Sequence, residues 1–443
     1  MQGLVILMKY LSLFFFLIFL SSVHAAVTPE DVNAWIKTKP MSDPPVAGTV
    51  VTFDNVRSLE PWIVPGLFEE MSFPGTEITI QKTADYVFHE KFNEATRNHA
   101  GEAKIGSDGA LENFSAGQPF SHEQILDADA TTAGYMIAWN RVHRWRHFGP
   151  KSIGGKALYL GPIHGGAVPL NQAEGLFGGG SLERTLTIQY QRVYLNHLSM
   201  LADKNYRMKG GDTKVHFKEL MGFLAPHNVA GTKFVIERNL DPRADDQVNI
   251  YSPTERRVRR LSAKERADRF MGSDFTLDDV EGFSGRTLDY NWTLLGMKKV
   301  LTVSDSLHES PKYFGPYSRV PHDRWQLRDS YVVEVTSIWD GHPYKKRIMF
   351  VDAQTFNITT ELAIDRQDRL WKVFLATYKW HGATNGPTKD IEKSMPYPVM
   401  DGAIDIINNT ASLVHVGKNI EFPEMTKRSV RRVFSVSALG EGK

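Results

Sequence analysis

The sequence predicts a mainly β protein with a few helices (α+β): a strongly curved antiparallel sheet forming an incomplete barrel, with short helices over its mouth. Three observations carry this expectation. Short runs that alternate apolar and polar residues recur through the second two-thirds of the chain, separated by Gly, Pro, Asn and Asp turn signals. About ten or more such strands in succession cannot stay open and flat; twist makes them curl, close or split into layers. Residues 231–295 interrupt the pattern with capping-box sequences, so something small and helical lies across the sheet there.

The elements follow in order. Lys9, the apolar run Leu11 to Leu20 and Val23-His24-Ala25 read as a signal peptide over residues 1–25. The apolar run is shorter than a membrane span requires. Residues 26–150 form an N-terminal region of arm, loops and one helix packing on the barrel. Pro40, Pro44 and Pro45 break the arm, and Glu77 to Gln81 is a strand. Tyr135, Trp139 and Val142 fall at helical spacing, with Asp129 or Thr131 as cap and Phe148-Gly149-Pro150 as the stop.

Residues 151–425 then run strand after strand. Leu186, Ile188 and Tyr190 oppose Thr185, Thr187 and Gln189; Phe234 and Ile236 share a side; Arg256 to Leu261 returns from a hairpin after Tyr251. Ser262-x-x-Glu265 and Thr276-x-x-Asp279 start short helices, and Leu288, Tyr290, Trp292 and Leu294 resume a strand on one face. From Tyr331 to Tyr378 the turns at Asp340-Gly341, Asp352 and Asp365 imply a meander. Residues 426–443 are a C-terminal tail.

Composition narrows the function. There is no cysteine, so no disulfide, no catalytic thiol and no lipid-bearing N-terminal cysteine. Loss of Lys9 with the leader takes the 52 Lys and Arg to 51, equal to the 51 Asp and Glu, which argues against nucleic acid as a main ligand. Export without disulfides fits a periplasm, with a peripheral place at the outer membrane left open.

The candidate ligand surface is the apolar side of successive strands: Leu186, Ile188, Tyr190, Phe234, Ile236, Tyr290, Trp292, Leu294, Trp371 and Val373. Such a face either lines a cavity for an acyl chain or packs solid as core. Arg257 and Arg259 share a face and could meet an anionic headgroup; the alternative pairs the arginines with Asp274, Asp278 and Asp279. His143 and His147 at helical spacing would face one way, as metal ligands do, but no third ligand and no adjacent Glu accompany them, so no metal is expected. Gly178-Gly-Gly180 lacks the Lys-Ser/Thr of a phosphate cradle, and adjacent Asp278 and Asp279 diverge too much for an acid/base pair. No cofactor or catalytic residue is expected. An envelope hydrolase using His143, His147 and carboxylates stays as an alternative, as does a scaffold that binds nothing.

Three stretches resemble a known family. They are Tyr251-Ser-Pro-Thr-Glu-Arg-Arg-Val-Arg-Arg-Leu261, Phe270-Met-Gly-Ser-Asp-Phe-Thr-Leu-Asp-Asp279 and Tyr290-Asn-Trp-Thr-Leu-Leu-Gly296, with Lys346 to Asp352 and Leu370-Trp-Lys372 continuing the pattern. They are similar to the outer-membrane lipoprotein-sorting-like (LolA/LolB-type) proteins. Leu59-Glu-Pro-Trp62, Pro65-Gly-Leu67 and Asn113 to Phe120 resemble its longer branch, domain-of-unknown-function family thirteen-twenty-nine. The resemblance implies an incomplete antiparallel barrel holding acyl chains, a non-catalytic carrier of a lipid or hydrophobic small molecule. Its partners would be an inner-membrane export pump and an outer-membrane protein. The missing lipid-attachment cysteine and the added N-terminal region depart from the lipoprotein-sorting pattern.

Overall fold

The computed structural model describes residues 27–162, 174–201, 204–262, 264–308, 310–381, 395–417 and 420–440. The expected leader, 1–25, lies outside them. The strands are β1 (Val50–Thr52), β2 (Glu77–Ile80), β3 (Lys104–Ile105), β4 (Leu111–Glu112), β5 (Lys151–Gly161), β6 (Ser181–Tyr194) and β7 (Val215–Ala225). Next come β8 (Lys233–Asn239), β9 (Gln247–Ser252), β10 (Arg257–Arg260), β11 (Tyr290–Thr302), β12 (Tyr313–Phe314), β13 (Val320–Pro321) and β14 (Arg324–Ser337). The last are β15 (Tyr344–Asp352), β16 (Ile358–Asp365), β17 (Leu370–His381), β18 (Met395–Asp405), β19 (Thr410–His415) and β20 (Ile420–Glu421). The helices are α1 (Pro29–Lys37), α2 (Leu67–Met71), α3 (Glu90–Asn98), α4 (His122–Asp127), α5 (Ala130–Val142), α6 (Lys427–Phe434) and α7 (Val436–Gly440).

One large curved sheet dominates and does not close. Its order is β1-β2-β14-β15-β16-β17-β18-β19-β5-β6-β7-β8-β9-β10, with β11 also on β14 and β20 on β5. The expected fold class is borne out, with one refinement. The sheet is mixed, because β2 joins β14 in parallel (Arg324 opposite Thr79), as a strand arriving from the remote N-terminal arm is free to do.

Alternation gives the sheet two different faces. The outer face carries Leu158, Phe350, Leu362, Val373, Leu413 and their neighbours, and the N-terminal arm covers it with Leu59, Trp62, Ile63 and Leu67. At the far end the tail does the same: Val430, Phe434 and Leu439 of α6 and α7 pack over Leu220 of β7 and Val235 of β8. The inner face is covered in sections. Helix α5 lies over β11, β14 and β15, burying Ala133, Ile137 and Ala138 against Trp292, Val333 and Met349. Gly134 makes this approach possible, since a Cβ there would sit 2.5 Å from the Trp292 carbonyl carbon. Residues 264–284 cover the middle.

Several local expectations need correction. Residues 27–150 hold five α-helices where one was expected. Boxes such as Thr28/Asp31 and Ser121/Gln124 start helices too brief for periodicity to reveal. Helix α5, capped by Asp129, stops at Val142 rather than near Phe148. The strand expected from Leu288 begins at Tyr290 and continues to Thr302. The hairpin of β9 and β10 forms as expected, Val258 opposite Tyr251.

Candidate functional site

The covering segment is tied to the inner face by buried charge. Its two expected boxes both form: Ser262 N–H donates to Glu265 Oε2 at 2.7 Å, and Thr276 N–H to Asp279 Oδ2 at 2.6 Å. They start 3-10 turns, Lys264–Ala267 and Leu277–Gly282. Asp279 then accepts from Arg347 on β15 at 2.6 Å and from Tyr344 Oη at 3.0 Å. Arg347 also pairs with Glu361 on β16. Lys372 on β17 donates to the Asp274 carbonyl at 2.5 Å, and Arg266 holds Asp278 at 2.7 Å.

Between this segment and the sheet lies an apolar cavity of about 120 Å³. Tyr159, Ile188, Met221 and Phe223 wall it on the sheet side; Phe270, Phe275 and Val280 wall it on the segment side. Phe270 seals one end, its ring 5.0 Å from Phe234 and 6.0 Å from Phe223. At that volume the cavity is well below the roughly 300–1,000 Å³ of a full ligand pocket. It is a partly open slot walled by aromatic and aliphatic side chains.

Its polar end is built from opposed charges. Glu281 lies at Nη distances of 3.0 Å from Arg146 and 3.0 Å from Arg192, with Arg144 at 3.5 Å. Burial by itself would raise this carboxyl, but Arg146, Arg192 and Arg141 outweigh burial and hold it well below the usual carboxylate range. Its backbone sits at φ 54°, in the left-handed region, a strained geometry for a residue with a Cβ. Asp401 on β18 lines the same cavity. Burial, and then the Glu281 charge, push its carboxyl up to about 7.

The ten expected cavity residues do not share one surface. Leu186, Ile188, Tyr190, Phe234 and Ile236 come together in one cluster beside the cavity, and Ile188 and Tyr190 line it. Tyr290, Trp292 and Leu294 lie on the same face of the sheet but are packed beneath α5. Trp371 and Val373 part company because of a β-bulge: Ala363 pairs with Lys372 but Ile364 with Leu370, leaving Trp371 as the extra residue. Val373 therefore points to the outer face under the arm, while Trp371 packs near Tyr344 at 5.5 Å. Met221, Phe223, Phe270 and Phe275 were missed. Met221 and Phe223 show the alternation that would have found them; Phe270 and Phe275 sit in an irregular stretch that has none.

The charged candidates fall elsewhere. Arg257 and Arg259 are exposed and pair with Glu255 and Glu265, both at 2.7 Å, not with the three aspartates. His143 and His147 do not share a helix face, since α5 ends before them. His143 instead joins His216 (ring centroids 5.1 Å apart) and His197 (5.8 Å), residues far away in sequence. Burial first, then a neighbouring imidazole (His197 for His143, His143 for His216), holds both well below the ordinary imidazole value. Among the described residues no group of three or more His, Asp or Glu could hold a metal ion.

A curved, unclosed sheet that shelters an apolar slot under an irregular covering segment defines the class of protein. Residues 50–439 match the family described as protein of unknown function (DUF1329), and the chain belongs to that family. The expected membership is thus borne out. Solved structures that resemble the chain include a DUF1329 family protein from Desulfovibrio piger, 16% identical, covering 70% of this chain and 100% of that one with a TM-score of 0.47. A candidate outer membrane lipoprotein-sorting protein domain from Vibrio parahaemolyticus is 16% identical over 69% of this chain and 97% of its own, TM-score 0.43. A LolA superfamily protein from Nitrosomonas europaea is 13% identical over 70% and 99%, TM-score 0.37. Among curated proteins none matches the chain significantly. Among the described residues no helix is long and apolar enough to cross a membrane.

Proposed function

We propose that this protein is a non-catalytic carrier that binds a hydrophobic small molecule or part of a lipid in the slot beneath residues 264–284. The observation that carries the reading is the apolar cavity itself, bounded by Ile188, Met221 and Phe223 on one side and Phe270 and Phe275 on the other. Burying apolar surface there is favourable at roughly 25 cal/mol per Å². A long acyl chain needs more volume than the slot offers, so such a ligand enters by displacing Phe270 and Phe275. The absence of cysteine and the leader-like N-terminus agree with work in a periplasm. There the carrier would pass cargo between an inner-membrane export pump and an outer-membrane protein.

The test is organic extraction and native mass spectrometry of protein purified from its own envelope, together with titration of a neutral apolar dye, N-phenyl-1-naphthylamine. Ile188→Trp or Met221→Trp fills the slot and is expected to abolish dye binding while the folded far-ultraviolet spectrum persists. Protein that carries no lipid and binds no dye would sink the reading.

A further inference from the structure

We infer that the slot selects an apolar molecule bearing a hydroxyl group, and that Asp401 on β18 is the residue that receives this hydroxyl; the inference rests on the carrier reading above. The hydroxyls around the cavity are already spent on the protein. Tyr159 Oη donates to the Met271 carbonyl at 3.2 Å, Tyr190 Oη to Glu219 Oε2 at 3.0 Å, and Ser273 Oγ to the Phe270 carbonyl at 2.6 Å. Ser412 Oγ donates to Asp274 Oδ2 at 3.1 Å, and Ser152 Oγ to the Val416 carbonyl. Glu281 is committed to its arginines, and Arg192 in turn holds Glu219 at 2.6 Å.

Asp401 stands apart. Asp401 lines the cavity; its carboxyl already takes a hydrogen bond from the Glu281 backbone, but its Oδ1 has no hydrogen-bond partner among the described residues. A buried acceptor left without a donor costs free energy, and a ligand that supplies the donor removes the cost. The chemistry then discriminates between ligands that share an apolar body. An alkane or ether leaves Asp401 Oδ1 unpaired. A fatty carboxylate sets a third acidic group beside Asp401 and Glu281, and the guanidinium nitrogens of Arg146 and Arg192 that face Glu281 are already paired with it. A neutral alcohol donates to Asp401 and introduces no charge. Sites built to bond a hydroxyl reject analogues that lack it far more strongly than apolar pockets sort by size.

The experiment is displacement of bound N-phenyl-1-naphthylamine from the full chain by octanol, octyl methyl ether and octanoate at about pH 8, where both acidic side chains and octanoate are ionised. Octanol is expected to displace the dye at roughly tenfold lower concentration than the ether, with octanoate weakest. Asp401→Leu is expected to abolish the preference for octanol, read as the ratio of the displacing concentrations of octanol and ether. Asp401→Asn, whose amide oxygen still accepts, is expected to keep part of it and guards against misfolding of the leucine variant. Equal displacement by octanol and ether, stronger displacement by octanoate, or a preference that survives Asp401→Leu overturns the inference while leaving the carrier reading intact. Failure of the unaltered protein to bind dye removes both.

Discussion

The guanidinium of Arg347 on β15 donates through Nη2 to Oδ1 of Asp279 at 2.6 Å, and both side chains are sealed from solvent. This contact joins the irregular covering segment to the sheet. It sits in a nest of charge with Glu361, whose carboxyl burial and the Asp279 charge raise to about 8 despite the arginine beside it. Removing one partner of such a cluster leaves uncompensated buried charge, so Arg347→Met is expected to cost about 3–5 kcal/mol. Urea unfolding checks it. A loss below about 1 kcal/mol would mean that this contact contributes little to holding the segment on the sheet.

Gly134 tests the seating of α5. At an ordinary exposed helix position, Gly→Ala stabilises by about 1 kcal/mol. Here the added methyl would meet the Trp292 carbonyl at 2.5 Å and Thr293 N at 2.7 Å, both backbone atoms that cannot rotate away. Overpacking of this kind costs about 1–3 kcal/mol, so the net sign reverses. Thermal melts of Gly134→Ala should show a lower Tm; a higher one would place α5 farther from β11.

Acid should loosen the region around His143, His197 and His216. Burial holds all three imidazoles below their ordinary 6.5. In the unfolded chain they take up protons near 6.5, whereas in the folded protein they stay neutral to lower pH. Their contribution is therefore intact above 6.5 and lost as pH falls below it, at up to about 1.4 kcal/mol per pH unit for each. Tm measured at about pH 7.5 and about pH 5 should fall on acidification, and His216→Phe should make the fall shallower.

Asp401 carries the opposite dependence. Its carboxyl ionises near 7 in the folded protein against an ordinary 3.8. Between those values the native state binds the extra proton, so this group's effect on stability worsens as pH rises from about 4 to about 7. Asp401→Asn should raise Tm at about pH 8 and leave it unchanged near pH 4. An equal gain at both would trace to packing instead of charge.

Much of the architecture could be read from local chemistry. Alternation at Leu186, Ile188 and Tyr190, the hairpin after Tyr251 and the boxes at Ser262 and Thr276 depend on residues within a few positions, and each is where it was expected. The site was legible only in part. Alternation says which residues share a side of one strand, and the bulge beside Leu370 shows how one inserted residue cancels that for Trp371 and Val373. Nothing near His143 in the chain signals His197 or His216, because their meeting depends on how β7 and the turn after β6 lie against the end of α5.

The amino-acid order by itself determined that the chain makes a curling sheet with apolar stripes and carries short capped turns across it, since pleat, turn and cap preferences act over a few residues. Only the tertiary structure decided which stripe stays hollow. Helix α5 and the arm consume most of the apolar surface, and the strained turn at Glu281 keeps Phe275 and Val280 over β5 to β7. A cavity is a balance of packing between distant elements, and no local pattern encodes it.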